Sequence, residues 1–291
     1  MSGLRVTKIE NKGENALKKK LWKWLLAGSA FATAVFCACD MRLKTVVYTV
    51  ESEKVGQQIR IALVTDLHSC KYGEDQKTLI EAIDTEKPDV VLFGGDIYDD
   101  KRSYDHAENT MKQLAEKYPC YYVTGNHEYW GNDVDNILEI VKKCGVKILS
   151  AECEMLEVSG EKINICGVDD PDVATYTDNG VEIQKQLEIV EEAAEDEYFT
   201  ILLSHRPELA DTYAEYDFDL VLSGHAHGGQ WRIPGILNGL YAPHQGIFPK
   251  YAGGRYEFEN QTLIVSRGLA RESTLVPRIF NRPELVIVDI K

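Results

Sequence analysis

The sequence predicts an α/β fold in which two mixed β-sheets pack face to face and helices flank them. From residue 59 onward, short apolar runs alternate with segments whose apolar residues recur at helical spacing. The first half of this region reads strand, helix, strand, helix, strand, an order typical of a mostly parallel sheet. The second half is denser in strands and has turns rich in glycine and proline, which indicates a second sheet.

Each element is predicted from its own pattern. Runs rich in β-branched and other apolar residues predict strands at residues 59–65, 90–93, 121–124, 163–168, 199–204, 220–223, 263–266 and 285–290. Apolar residues at helical spacing predict helices at residues 75–86, 105–118, 134–144 and 181–197. Residues 40–58 are expected to be a linker with a first strand, and residues 59–291 one large domain with a substantial core.

The charge is unevenly distributed. The chain of 291 residues has a net charge of −15, yet residues 1–24 carry seven basic and two acidic side chains, so the remainder carries −20. Sequence-independent binding to nucleic acids relies on stripes of lysine and arginine. Because the chain after residue 24 is so acidic, we expect no nucleic-acid partner.

The amino terminus predicts a membrane segment. A basic tail at residues 1–23 precedes an uncharged, apolar run at residues 24–39. Because basic flanks stay in the cytoplasm, this arrangement predicts a single anchor in the cell membrane with the domain of residues 59–291 outside. The alternative is a signal segment with cleavage near Ala32-Thr33-Ala34, which would leave a secreted protein.

The seven cysteines show no C-x-x-C pair, so neither a zinc ribbon nor a thioredoxin-type motif is supported. Free cysteine behaves as a small hydrophobic residue, and we expect these cysteines to be buried free thiols.

Five of the seven histidines lie in short polar motifs that follow predicted strands. The motifs are Asp66-Leu67-His68, Gly95-Asp96, Gly125-Asn126-His127-Glu128, Ser204-His205 and Gly224-His225-Ala226-His227. Imidazole, carboxylate and amide oxygen are together the ligand set of a divalent metal such as manganese, iron or zinc. Because sites in parallel α/β sheets lie beyond the carboxyl ends of strands, we expect these motifs to meet there, with enough ligands for two ions.

The residue types suggest different tasks within the motifs. Asp96 follows two glycines that allow close backbone approach, and a carboxylate can bridge two cations. Asn126 offers a neutral oxygen ligand, and the adjacent His127 would point elsewhere, free to act as a general acid or a phosphate donor. The spacing of His225 and His227 leaves open whether they bind one ion or two.

Residues near the motifs are less informative. Asp99 and Asp100 are expected to be solvated or to lie behind the ligands, and Arg206 to be either solvated or a phosphate contact. We expect Asp170 to lie in a turn and His244 to be a surface or local structural histidine that could line the substrate cleft.

Taken together, the motifs resemble those of the calcineurin-like metallophosphoesterase superfamily, from about residue 59 to the carboxyl terminus. Residues 224–230, 245–251 and 266–269 resemble its YkuE-like, membrane-associated bacterial branch. The resemblance implies a four-layer αββα sandwich. It also implies that Asp66, His68 and His227 bind a first metal ion, that Asn126, His205 and His225 bind a second, that Asp96 bridges them, and that His127 is the catalytic acid.

The sequence thus predicts a membrane-tethered, dinuclear-metal-dependent phosphoester hydrolase that uses a metal-activated water. Two divalent ions against the carboxylates of Asp66 and Asp96 leave a formal charge of +2, which attracts phosphoryl oxygens. We expect a phosphorylated small-molecule or lipid-linked substrate: a phosphodiester, a phosphomonoester, or the pyrophosphate of a nucleotide-activated lipid sugar. The alternative class is a non-catalytic, metal-stabilised scaffold.

Overall fold

A computed structural model describes residues 12–271 and 276–291 of the protein, with side chains from residue 17 onward. Helices in this part of the chain are α1 (Lys12–Ala38), α2 (Lys77–Glu86), α3 (Asp105–Ala115), α4 (Asn126–Trp130), α5 (Val134–Lys143), α6 (Val173–Tyr176), α7 (Ile183–Ala193) and α8 (Ala210–Tyr213). Short 3-10 turns occur at Glu74–Gln76, Pro207–Leu209 and His227–Gly229.

The strands are β1 (Lys44–Val50), β2 (Ile59–Val64), β3 (Val90–Gly94), β4 (Cys120–Val123), β5 (Lys147–Ile148), β6 (Glu152–Val158), β7 (Glu161–Gly167), β8 (Phe199–Leu203), β9 (Leu220–Ser223), β10 (Tyr241–Ala242), β11 (Gly246–Ile247), β12 (Gly254–Glu257), β13 (Thr262–Val265) and β14 (Glu284–Ile290). They include every strand predicted from the apolar runs, with bounds that differ by a residue or two. The prediction missed β6, because its alternating glutamates belong to a half-exposed strand at the edge of a sheet.

The strands form two six-stranded mixed sheets and one small hairpin. The first sheet has the order β1-β14-β2-β3-β4-β5; β2 to β5 are parallel, and β14 runs antiparallel to β2. The second has the order β12-β13-β9-β8-β7-β6, with β13, β9, β8 and β7 parallel. β10 and β11 pair as the hairpin.

Three apolar cores hold the layers together. Between the sheets, Leu63 and Val286 of the first sheet pack with Ile201 and Leu222 of the second. The first sheet is covered on its other side by α2, α3 and α5, and the second by α7 and α8. Since these strands are buried on both faces, they read as continuous apolar runs in the sequence. The predicted αββα arrangement of two mixed sheets flanked by helices is confirmed.

Helix α1 is longer than the apolar run predicted at residues 24–39. Its stretch Leu17–Ala38 is long and apolar enough to cross a membrane by length and composition, and none of it is buried against the domain. The carboxyl end of α1 contacts the domain directly: Phe280 N donates to Ala38 O at 2.8 Å, and Arg282 forms an ion pair with Asp40 at 3.4 Å.

The prediction that the cysteines are buried free thiols is wrong for one pair, which is bonded, and wrong about burial for two others. Cys153 on β6 and Cys166 on β7 lie opposite each other in the antiparallel ladder and form a disulfide. Spacing in the sequence does not reveal this pair, because it depends on the register of the two strands. The remaining cysteines are free thiols: Cys70 and Cys120 are buried, Cys144 is partly buried, and Cys37 on α1 and Cys39 just after it are exposed.

Candidate metal centre

The polar motifs meet at one edge of the two sheets, beyond the carboxyl ends of β2, β3, β4, β8 and β9. Neighbouring loops are joined through their backbones: Asp66 N donates to Gly95 O at 3.0 Å, and Gly224 N to His205 O at 3.2 Å. The two sheets are joined where His225 N donates to Asp66 Oδ1 at 2.9 Å. The edge is therefore a single site built from both sheets.

The first group of candidate ligands is Asp66, His68, Asp96 and His227. Each offers a ligand atom, and these four atoms all lie within 4.8 Å of one another. His68 Nε2 is 3.6 Å from Asp96 Oδ2, and His227 Nε2 is 3.7 Å from Asp66 Oδ1. All four residues are buried.

The second group is Asp96, His205 and His225, again with ligand atoms within 4.8 Å of one another. His205 Nε2 lies 3.2 Å from Asp96 Oδ2 and 3.2 Å from His225 Nδ1. Asp96 thus belongs to both groups, whereas His225 and His227 fall in different ones. The turn that begins at His227 separates the two imidazoles, which the spacing alone left open.

Unpaired buried atoms show that the site fits cations. Among the described residues, polar atoms that are buried and have no hydrogen-bond partner include Asp66 Oδ2, His68 Nε2, Asp96 Oδ2, Asn126 Oδ1 and His227 Nδ1. A buried polar group without a partner costs about 1–3 kcal/mol, and more if it is charged. Carboxylate, amide and imidazole atoms of this kind suit divalent transition metals, so the residues present fit the predicted ions.

The backbone at the candidate ligands is also unusual. Asp66, His68, Asp96, His225 and His227 all have positive φ, between 46° and 64°. Non-glycine residues adopt this left-handed conformation rarely, and strain of this kind clusters at functional sites, held by the surrounding structure.

Burial keeps His225 and His227 neutral. Burial, reinforced by the charge of His205, holds the pKa of His225 well below its usual value. Burial and the neighbouring His68 do the same to the pKa of His227. Burial by itself would raise the pKa of Asp96, but the imidazoles of His205 and His127 lower it well below its usual value. Neutral His225 and His227 and an ionised Asp96 are the states that metal binding requires. Despite burial, the charge of Asp96 raises the pKa of His205 to about 10, and the contact with Asp99 raises the pKa of His68, so a metal ion would displace a proton from each of these two imidazoles.

Groups behind the candidate ligands orient them. His205 Nδ1 is 2.8 Å from Gly94 O, so it is the donor and Nε2 faces Asp96. Asp99 Oδ2 is 3.3 Å from His68 Nδ1 and holds that ring in the same way. Asp99 is buried, so the expectation that it is solvated is wrong, and its role behind a metal ligand stays a prediction.

His127 lies beside the first group and pairs with Asp100. Its Nδ1 is 2.8 Å from Asp100 Oδ1, and its ring contacts those of His68 and Trp130 with centroid distances of 4.4 and 4.6 Å. The His127 side chain keeps 21% of its surface exposed. An imidazole that is about one-fifth exposed and oriented by a carboxylate can exchange a proton with a group bound beside it.

Arg206 is buried, and its interpretation as a solvated residue is wrong. Its guanidinium forms a two-point ion pair with Asp170, including an Nη2–Oδ1 contact of 2.7 Å. Its Nη1 lies 2.7 Å from His244 Nδ1, which is itself 2.9 Å from His225 Nε2. His244 is half exposed and therefore lines the opening beside the second group. The phosphate contact of Arg206 remains a prediction.

Glu128, to which the sequence motifs assign no role, organises the site. Its fully buried carboxylate accepts hydrogen bonds from the backbone N–H of Gly125, Asp96, Ile97 and Tyr98, at 2.8 to 3.1 Å. Glu128 occupies the third position of α4, so it caps that helix while it ties the loop after β3 to the loop after β4. A glutamate three residues after a helix start is the capping-box signal that could have revealed it.

This fold and this cluster of carboxylates and imidazoles define a metal-dependent phosphohydrolase. Residues 59–229 match the family model described as calcineurin-like phosphoesterase, and the chain belongs to that family. A metallophosphoesterase of Aquifex aeolicus is 31% identical over 256 residues, which cover 84% of this chain and 90% of that protein. The metallophosphoesterase YkuE of Bacillus subtilis is 27% identical over 92% of both chains.

A third relative is named as a transmembrane protein. The bovine "transmembrane protein with metallophosphoesterase domain" is 32% identical over 185 residues, which cover 59% of this chain and 41% of that protein. The similarity is therefore partial on both sides.

Replacing Glu128 tests its role in the site. Glu128→Ala leaves four backbone donors without their acceptor, so we expect a fall of at least about 3 kcal/mol in the free energy of unfolding and loss of bound metal. Urea denaturation and elemental analysis measure both. Glu139→Ala, at an exposed position on α5, is the matched control and should change neither. Normal metal content in Glu128→Ala would contradict the role.

Proposed function

We propose that the protein hydrolyses a phosphoester at a centre of two divalent cations. Asp66, His68 and His227 would hold the first ion, and Asn126, His205 and His225 the second, with Asp96 shared between them. The observation that carries this proposal is the position of Asp96. Its buried Oδ2 has no hydrogen-bond donor and lies 3.6 Å from His68 Nε2 and 3.2 Å from His205 Nε2, one residue of each group.

The ions, when bound, supply Lewis-acid polarisation of the phosphoryl group and a nucleophilic water at neutral pH. The mixture of imidazole and carboxylate suits manganese, iron or zinc. The protein holds the ligands rigid through Glu128, Asp99 and Gly94 O, and it provides a closed, buried floor. That floor keeps bulk water away from the reacting group on the domain side.

His127 would protonate the departing oxygen. Because Nδ1 points to Asp100, the exchangeable proton for the substrate is on Nε2. The Asp100 carboxylate fixes the orientation of the imidazole, and proton transfer of this kind contributes about 10²–10⁴ in rate.

The proposed location is the outer face of the cell membrane. Helix α1 supports an anchor by its length and composition, and the bovine relative is named a transmembrane protein. The disulfide between Cys153 and Cys166 supports an oxidising compartment outside the cytoplasm. The alternative, release after signal cleavage, leaves the same domain outside.

The substrate is proposed to be a phosphomonoester, a phosphodiester or a pyrophosphate. One observation favours the lipid-linked pyrophosphate as a second candidate: the residues that receive the end of α1 lie at the same sheet edge as the metal centre. Glu284, at the start of β14, donates from its N to Gly268 O at 3.0 Å, and Gly268 packs against Asp66. An anchored domain so arranged would present its site to lipid head groups.

Activity tests the proposal directly. The full chain, purified in neutral detergent and loaded with Mn²⁺, is expected to hydrolyse at least one of an aryl phosphate, a bis-aryl phosphate and a UDP-linked lipid sugar. Release of aryl alcohol or UMP measures turnover, and chelation should abolish it. Two bound metals with no turnover of any of the three would favour the scaffold instead.

Asp96→Asn tests the shared ligand. Removing the bridging charge is expected to reduce the occupancy of both ions, measured as metal content per chain. Asp105→Asn, at an exposed position of α3, is the control and should retain both. Loss of only one ion would rule out the bridge.

His127→Ala tests the proton donor. We expect retained metal and a fall in kcat of about 10²-fold or more for an alkyl phosphate, which has a poor leaving group, and a smaller fall for a nitrophenyl phosphate. Asp100→Asn should show the same leaving-group dependence with a smaller loss. His106→Ala, on α3, is the control. Equal loss with both leaving groups would remove His127 from proton transfer.

A further inference from the structure

A basic cavity lies at the base of α1. Its volume is about 390 Å³, and four cations line it: Lys44, Arg232, Arg267 and Arg282. Phe280, whose backbone holds the end of α1, forms part of the wall. Such a concentration of positive charge is unexpected in a chain with a net charge of −15.

The positive charge of the cavity is only partly neutralised. Glu284 forms an ion pair with Arg267 at 3.2 Å, and Asp40 pairs with Arg282 at 3.4 Å. Asp40 is also held by Arg42 at 2.9 Å, so its charge is shared. Four cations against these two carboxylates leave a formal excess of two positive charges.

Arg232, like Lys44, is a cation of the cavity that has no carboxylate partner among the described residues. In the described residues it forms no ion pair, and its donors go to the neutral oxygens of Gly228 and Asn238. Burial and the like charge of Arg267 lower the pKa of Arg232 to about 10. Two half-buried guanidiniums that repel each other across a cavity are a ready site for an anion with several oxygens.

The topology places this cavity on the same edge as the metal centre. β14 runs antiparallel to β2, so its first residue lies beside the carboxyl end of β2, where Asp66 follows. β1 is parallel to β14, and Lys44 pairs with Glu284 at that edge. Arg232 also donates to the backbone of Gly228, the residue after His227.

The chain segment that lines the cavity also carries exposed apolar side chains. Pro234 and Gly235 line the cavity, and the adjoining Ile236 has 84% of its surface exposed. Further along the same segment, Ile247 and Phe248 are 69% and 67% exposed. Apolar groups of this size, next to a basic cavity and to the end of a helix long enough to span a membrane, match the interface of a bilayer.

We propose that the cavity of Lys44, Arg232, Arg267 and Arg282 binds the phosphate of an anionic phospholipid head group. The residues around Ile236, Ile247 and Phe248 then rest in the interface of the same leaflet, and the metal centre faces the membrane surface. This inference rests on the proposed anchor and is independent of catalysis.

Head-group binding is measured as a shift in Tm. The full chain is kept in neutral detergent with EDTA, so that phosphate binding at the metal centre does not contribute. Titration with dihexanoyl phosphatidylglycerol is expected to raise Tm to saturation, whereas dihexanoyl phosphatidylcholine leaves it unchanged. Glycerol 3-phosphate, which lacks acyl chains, is expected to bind at least about tenfold more weakly, because it forfeits the apolar contacts.

Variants locate the site. Arg232→Gln should weaken phosphatidylglycerol binding about tenfold, the loss of one charge-assisted contact. Lys44→Gln, on the exposed rim, should weaken it less and provides a second test if Arg232→Gln fails to fold. Arg255→Gln, at an exposed position of β12 outside the cavity, is the matched control and should bind as the unmodified chain does.

Three results would overturn the inference: an equal shift with phosphatidylcholine, unchanged binding in both cavity variants, or glycerol 3-phosphate as tight as the lipid, which would indicate a soluble phosphate ligand. Cell fractionation tests the anchor separately. A chain found in the membrane fraction and active in hydrolysis, yet without a lipid-dependent shift, would refute only the head-group site.

Discussion

The candidate site depends on one buried carboxylate that is not itself a candidate ligand. Glu128 accepts four backbone N–H bonds from two loops that follow neighbouring strands. One of those donors is the backbone N–H of Asp96, the residue common to both groups of metal-type side chains. The helix that begins at Asn126 provides the fixed base. This clamp acts together with two direct contacts of Asp96: His127 N donates to its Oδ1 at 2.9 Å, and His68 N donates to its backbone O at 3.0 Å.

The rest of this sheet edge lowers the stability of the folded domain. It collects buried carboxylates and imidazoles, several without hydrogen-bond partners, on a backbone with positive φ at five of the candidate ligands. Two packed sheets oppose that cost through a continuous apolar core between them. Cations at the site would remove much of the remaining cost, so metal binding and domain stability are expected to be coupled.

The same edge also sets how the domain could meet a membrane. β1 and β14 begin where β2, β3 and β4 end, so the segment that leaves α1 must arrive beside the candidate metal centre. Positive charge gathers there although the chain as a whole is acidic. In the proposed arrangement, strand direction would therefore link substrate access to membrane attachment, without depending on any single contact.

The sequence by itself determined the fold class and the candidate ligand types. Buried strands appear as apolar runs in the sequence. The polar residues that follow them, such as Asp66, Asn126 and His205, can be recognised because side-chain type and the end of a strand are both local properties of the sequence. Only the tertiary structure decided the contacts between distant loops. It separated His225 from His227, paired Arg206 with Asp170 and His127 with Asp100, and gave Glu128 its role. It also assembled a cavity from Lys44, Arg232, Arg267 and Arg282. Those contacts depend on the order and register of the strands, which bring together residues that are far apart in the chain. Such contacts leave no periodic pattern in the sequence.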